Sequence, residues 1–144
     1  MKPENELTME FTSRSCNEAF ARAAVGAFIA PMDPNLEELS DIKTAVSEAV
    51  TNCIVHAYPA GDGTITLTCR VYPDRNIALT VEDHGVGIPD VTAARAPLFT
   101  TGGQDRSGMG FTIMEKFMTS LQVESAPDRG TTVTMTRRLQ ERRR

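Results

Sequence analysis

Residues 48–57 read EAVTNCIVHA, and whether this stretch is helical decides the fold. Apolar side chains recur here at helical spacing, placing Ile42, Ala45, Val46, Ala49, Val50, Cys53 and Ala57 on one face. Beside that face Glu48, Asn52 and His56 follow at four-residue intervals, each one turn from the last. The spacing predicts a helix over roughly 36–56, with one face in a core and a carboxylate, an amide and an imidazole along its margin. Such a margin is either a solvated polar edge or one wall of a site. The helix alone does not choose between them.

Working outward, Pro59 and the GDG at 61–63 stop the helix. Upstream, Leu7, Met9 and Phe11 alternate with Thr8, Glu10 and Thr12, the period of a half-buried strand. Ser13 or Ser15 then caps an expected helix carrying Phe20, Ala24, Val25 and Phe28 on one face, with Arg22 exposed. Pro31 and Pro34 end that helix, and a DPN turn leads into the central one. Downstream, 64–72 alternates with Ile65, Leu67, Cys69 and Val71 on one side, and a turn over 73–76 leads to Ile77, Leu79 and Val81. The pair is expected to form an antiparallel hairpin. Residues 90–107 carry little periodicity, which marks a long functional or disordered loop.

Beyond the loop, Gly108 and Gly110 open an expected helix with Phe111, Ile113, Met114, Phe117 and Met118 as its apolar stripe. Leu121, Val123 and Ser125 then give a strand, and 131–137 a last one after a turn at 128–130. Strand, two helices, two strands, loop, helix and two strands predict a two-layer α/β sandwich of the α+β kind. Its sheet is expected to be mixed but mostly antiparallel, with helices on one face.

A chain of 144 residues with 40% hydrophobic and 24% charged residues reads as one domain, 1–144, with a real core. The net charge of −4 argues against direct nucleic-acid binding, although Arg137, Arg138, Arg142, Arg143 and Arg144 place a basic tail at 136–144, expected to fray. No signal peptide and no membrane-length apolar run occurs, so a cytoplasmic protein without membrane contact is expected. Cys16, Cys53 and Cys69 lack metal-ligand spacing, and the last two read as small core residues.

Directly after the third strand comes Asp83-His84-Gly85-Val86-Gly87. Acid and glycine are common in any turn, but the same residues could offer a carboxylate to an amine while glycines let backbone approach a flat ligand. Gly108 and Gly110 either close the loop or expose backbone N–H groups where a helix dipole favours phosphate. No G-x-x-x-x-G-K-[ST], H-R-D or D-F-G is present, which excludes the common phosphate loop and the eukaryotic-type kinase. The informative feature is the succession: E-x-x-x-N on a helix, D-x-G-x-G after a strand, a loop, then R-S-G-M-G opening a helix.

In that succession the chain resembles the ATPase/kinase superfamily shared by gyrase, Hsp90, MutL and histidine kinases. SEAVTNCIVHAY, VEDHGVGIPD, ARAPLFTT, RSGMGFTIMEKFM and VESAPDRGTTV are most similar to small bacterial anti-sigma factors that are also protein serine kinases. The resemblance, over about 7–139, implies the histidine-kinase-like ATPase fold with ATP or ADP and Mg²⁺ as ligands. It implies Asn52 as the Mg²⁺ ligand, Glu48 as the catalytic glutamate and Asp83 as the acceptor of the adenine amine. Gly85 and Gly87 would shape that pocket and Thr131 would support its corner. Ser107, Gly108 and Gly110 would meet phosphates, 90–107 would form the lid, and Arg106 would approach the γ-phosphate. His56 is left outside the site, and His84 is expected to face solvent. The implied partners are a sporulation sigma factor of RNA polymerase (sigma-F type), an anti-anti-sigma factor phosphorylated on serine, and a second copy in a homodimer. The alternatives are a kinase of a stress sigma factor, and a non-transferring module that ATP only orders.

Overall fold

The computed structural model describes residues 1–59, 61–88, 91, 95 and 110–141. Strand β1 (Asn5–Thr12) leads to helix α1 (Cys16–Ile29), a 3-10 turn (Ala30–Met32) and helix α2 (Leu36–Asn52), which runs on into a π turn (Cys53–Ala57). Strands β2 (Thr64–Val71) and β3 (Asn76–Asp83) follow, then helix α3 (Gly110–Phe117) and strands β4 (Ser120–Ser125) and β5 (Thr131–Arg138). The sheet has the order β1-β2-β3-β5-β4. Among the described residues all four pairings are antiparallel, so the sheet expected to be mixed but mostly antiparallel shows no parallel member there.

Alternation builds the core. Ile65, Leu67, Cys69 and Val71 on β2, Ile77, Leu79 and Val81 on β3, and Val133 and Met135 on β5 are buried toward the helices. They meet Ile42, Ala45, Val46, Ala49, Val50 and Cys53 of the central helix, the face predicted from spacing. Truncating such a fully buried Ile to Ala costs roughly 2–5 kcal/mol, so these contacts fix where α2 lies on the sheet.

The first helix departs from expectation. Its buried residues are Ala21, Val25 and Ile29, whereas Phe20 is 53% exposed and lies edge-on to Phe11 of β1 at 6.4 Å. Arg22 is exposed as expected. Ser15 stands at the N-cap without a side-chain bond, and Ser13 instead accepts from the Gly63 N–H at 2.9 Å. The central helix has a capping box: Asn35 Oδ1 accepts from the Glu38 N–H at 2.7 Å, and Glu38 Oε1 accepts from the Asn35 N–H at 2.9 Å. The basic C-terminal stretch begins inside the sheet, because Thr136, Arg137 and Arg138 belong to β5. Among the described residues no helix is long and apolar enough to cross a membrane.

Candidate active site

Glu48 and Asn52 lie one turn apart on the margin of α2, and α3 begins against them. A Cβ placed on Gly110 would sit 3.1 Å from Asn52 Oδ1, 3.3 Å from Asn52 Nδ2 and 3.4 Å from Glu48 Oε2. The absence of a side chain at the first position of α3 therefore leaves an amide and a carboxylate facing a helix N-terminus, where backbone N–H groups lack intrahelical partners. Oxygen donors of this kind, few in number, suit a hard cation that takes most of its ligands from phosphate and water.

The second group gathers at the end of β3. Asp83 continues the alternation of Ile77, Leu79 and Val81, so its carboxylate is turned to the helix side and is only 4% exposed. Oδ1 accepts from the Gly85 N–H at 3.0 Å. Burial, then the nearby Asp83 carboxylate, push the Cys53 thiol well above its ordinary value of 9.0, which keeps it protonated rather than nucleophilic. Thr131 is the direct partner of Asp83 across the β3–β5 ladder, which places it at the same corner.

The π turn joins the two groups. Its wider path carries the chain from Asn52 to Ala57, whose carbonyl accepts from the Val86 N–H at 2.9 Å. A Cβ on Gly85 would overlap that carbonyl. Gly87 has φ +75°, and a Cβ there would overlap the Ala126 carbonyl. Both glycines thus bring backbone against backbone beside a buried carboxylate. His84 is exposed, as expected, with Nε2 3.3 Å from Glu82.

Two residues at this end escaped the sequence reading. The Tyr58 hydroxyl accepts from the His84 N–H at 2.7 Å and donates to the Thr64 carbonyl at 2.8 Å, and its ring covers Gly63 so closely that a Cβ there would overlap it. Ser125 Oγ accepts from the Ile88 N–H at 2.7 Å, donates to the Gly130 carbonyl at 2.8 Å and lies 2.8 Å from Thr131 Oγ1. Tyr58 belongs to no periodic pattern, and Ser125 entered the reading only as the last alternating residue of a strand; their position at an element's end was the one available signal. Arg106, Ser107 and Gly108 lie outside the described residues, as does the expected lid except Val91 and Arg95, the latter ion-paired with Glu115.

A buried aspartate at a strand end, a Glu/Asn margin and a helix opening on glycine, all on an antiparallel sheet covered by helices, define a nucleotide-binding fold of one class. The family described as the histidine kinase-like ATPase domain matches residues 11–137, and the chain belongs to it.

Within that family its similarity is to the anti-sigma F factors. It is 51% identical over 138 residues to the anti-sigma F factor of Bacillus licheniformis, covering 94% of each chain. It is 53% identical over 141 residues to that of Pasteuria penetrans, covering 96% of this chain and 94% of the relative. Among solved structures, the RsbU and RsbW domains of a Mycobacterium tuberculosis protein superpose with a TM-score of 0.72 at 22% identity, over 99% of this chain and 34% of the other. A blue-light activated histidine kinase domain from Erythrobacter litoralis gives 0.59 at 22% identity, over 85% of this chain and 60% of the other. At that identity both show a shared fold.

Proposed function

We propose that this chain is a cytoplasmic, homodimeric anti-sigma factor that binds a sporulation sigma factor of the sigma-F type and withholds it from RNA polymerase. As an ATP-dependent protein serine kinase it also phosphorylates, and so inactivates, an anti-anti-sigma factor. The observation that carries this reading is the space at Gly110 faced by Glu48 and Asn52, in a chain sharing about half its residues with anti-sigma F factors over nearly its full length. The homodimer and the cytoplasmic location rest on the family resemblance.

Asp83, held by the Gly85 N–H, presents a buried carboxylate to the adenine amine, with Gly85, Gly87 and Thr131 around it. Asn52 would hold Mg²⁺ through its amide oxygen, and the ion would supply neutralisation of charge on the phosphates. Ser107, Gly108 and Gly110 offer backbone N–H groups to those phosphates, and Arg106 offsets charge on the transferring group. The partner's serine Oγ attacks the γ-phosphorus in line, the bond to the ADP oxygen breaks, and the serine proton passes to Glu48.

Glu48→Gln tests this directly. Glutamine keeps the shape of the side chain but not its basicity, so ATP binding and sigma capture should persist. Transfer to the partner serine should fall by roughly 10²–10⁴-fold, the range for a positioned base. Quench-flow transfer beside a sigma-binding titration measures both. Undiminished transfer removes Glu48 from the chemistry, and equal loss of both activities makes it a scaffold residue.

A further inference from the structure

Arg137 lies near the end of β5, opposite Ile77, on the same face of the strand as buried Val133 and Met135. Its side chain is 20% exposed, and Nη1 donates both to Asp41 Oδ2 at 2.8 Å and to the Phe117 carbonyl. Phe117 is the last residue of α3, so this carbonyl is one of the acceptors that a helix end leaves unpaired, where a cation is also favoured by the dipole. Asp41 stands on α2 seven residues before Glu48, two turns along the same stripe.

The two helices match in span. Asp41 to Glu48 and Gly110 to Phe117 each span eight residues, seven steps of about 1.5 Å or about 10 Å of helix. They run antiparallel, with the guanidinium joining them at one end and Gly110 meeting Glu48 and Asn52 at the other. A wholly exposed ion pair would contribute little to such an arrangement. This one is largely buried and grips a side chain and a backbone carbonyl together, which constrains α3 along its axis. Both bonds come from one nitrogen, so a lysine ammonium can replace them only in part, because its donor sits on a shorter and more flexible stem.

We propose that Arg137 is a positioning residue: by pinning the end of α3 to Asp41 it sets how the opposite end meets Glu48 and Asn52, and so sets the phosphate half of the site. This rests on the nucleotide site proposed above. The adenine half, built on Asp83 and the π turn, does not touch the pin. Arg137→Met should therefore weaken binding of Mg²⁺ with a β,γ-imido ATP analogue by roughly tenfold, below the ~10²-fold that a 1 Å misplacement can cost in rate. Adenosine binding should change less than about twofold.

The test is calorimetry of the full chain with each ligand, together with the Gly110 amide resonance in the ligand-free protein. Arg137→Met should shift that resonance, Arg137→Lys should restore part of the analogue affinity, and Asp41→Asn should cost less than Arg137→Met. Equal loss for adenosine and analogue, or an unmoved Gly110 amide, overturns the proposal. If Arg137→Met does not fold, Arg137→Lys and Asp41→Asn carry the same comparison. A wild-type chain that binds no analogue would sink the nucleotide reading instead, and the Gly110 resonance would still decide the pin.

Discussion

Where α2 begins, side chains tie the molecule together; where it ends, backbone packs on backbone. At the first end Glu38 accepts from the Asn35 N–H and, through Oε2, from the Gln140 N–H at 2.7 Å. Arg75 donates to the Gln140 carbonyl at 2.7 Å and to the Met32 carbonyl at 3.0 Å. Four segments are closed there by side chains bonded to the backbone of the others. At the other end Gly85 and Gly87 admit carbonyls into the space of a side chain next to Asp83, and Gly110 lies against Glu48 and Asn52. A closed polar network stabilises through its side chains, whereas glycine contacts build a firm wall from backbone alone.

The largest effect expected from breaking this contrast is at Gly87. Gly87→Ala forces a Cβ onto a residue at φ +75° and into the Ala126 carbonyl. Together these should destabilise the protein by roughly 2–5 kcal/mol and abolish nucleotide binding. Urea unfolding and calorimetry measure the pair. A variant of wild-type stability that still binds would show that the glycine wall is dispensable.

Glu38→Ala should be somewhat milder and should separate the ends. It removes a cap partner and strands two backbone donors, a loss of roughly 2–4 kcal/mol of stability. Nucleotide affinity of the folded fraction should stay within about twofold of wild type. Loss of affinity in proportion to stability would mean that the two ends do not act independently.

Asp83→Asn reverses the pattern at the site end. Asparagine Oδ1 can keep the bond from the Gly85 N–H, so ligand-free stability should change little. The other half of the amide now presents a donor to a ligand amine, costing roughly 1–3 kcal/mol of ATP binding. A variant that melts early yet binds ATP normally once folded would make Asp83 a turn residue.

Much of this contrast could be read from local pattern. The alternation Ile77-Leu79-Val81 runs on to Asp83, so the register itself turns the carboxylate toward the core. Glu48 and Asn52 followed from four-residue spacing, and Asn35-x-x-Glu38 is a capping signature that the reading passed over. What stayed hidden is long-range. Ser13 bonds to a residue 50 positions away and Arg137 to one 96 away, and no periodicity reports such partners. The first helix was misread by side-chain bulk: Phe20 covers the sheet edge at Phe11 while small Ala21 goes inside. The turn at 53–57 is π rather than α, a change that apolar spacing does not reveal.

The smallest expected effect uses the two buried thiols, one at each side of the comparison. Cys53 touches Asp83, whereas Cys69 lies on β2 away from the site and burial alone pushes its thiol up from 9.0 to about 12. In the unfolded chain both ionise near 9, so above that pH the unfolded state loses protons that the native state keeps. The stability each contributes is full below pH 9 and is lost as pH rises through the folded value, for Cys69 between about 9 and 12. At pH 10 this amounts to about 1 kcal/mol for Cys69 relative to pH 8. Cys69→Val should flatten the alkaline slope of urea-derived stability and leave ATP affinity alone. Cys53→Ala should flatten it too, but should also weaken ATP binding, because it opens a void beside the buried Asp83. If both substitutions moved affinity equally, or neither touched the slope, the buried thiols would not distinguish the site end from the rest of the core.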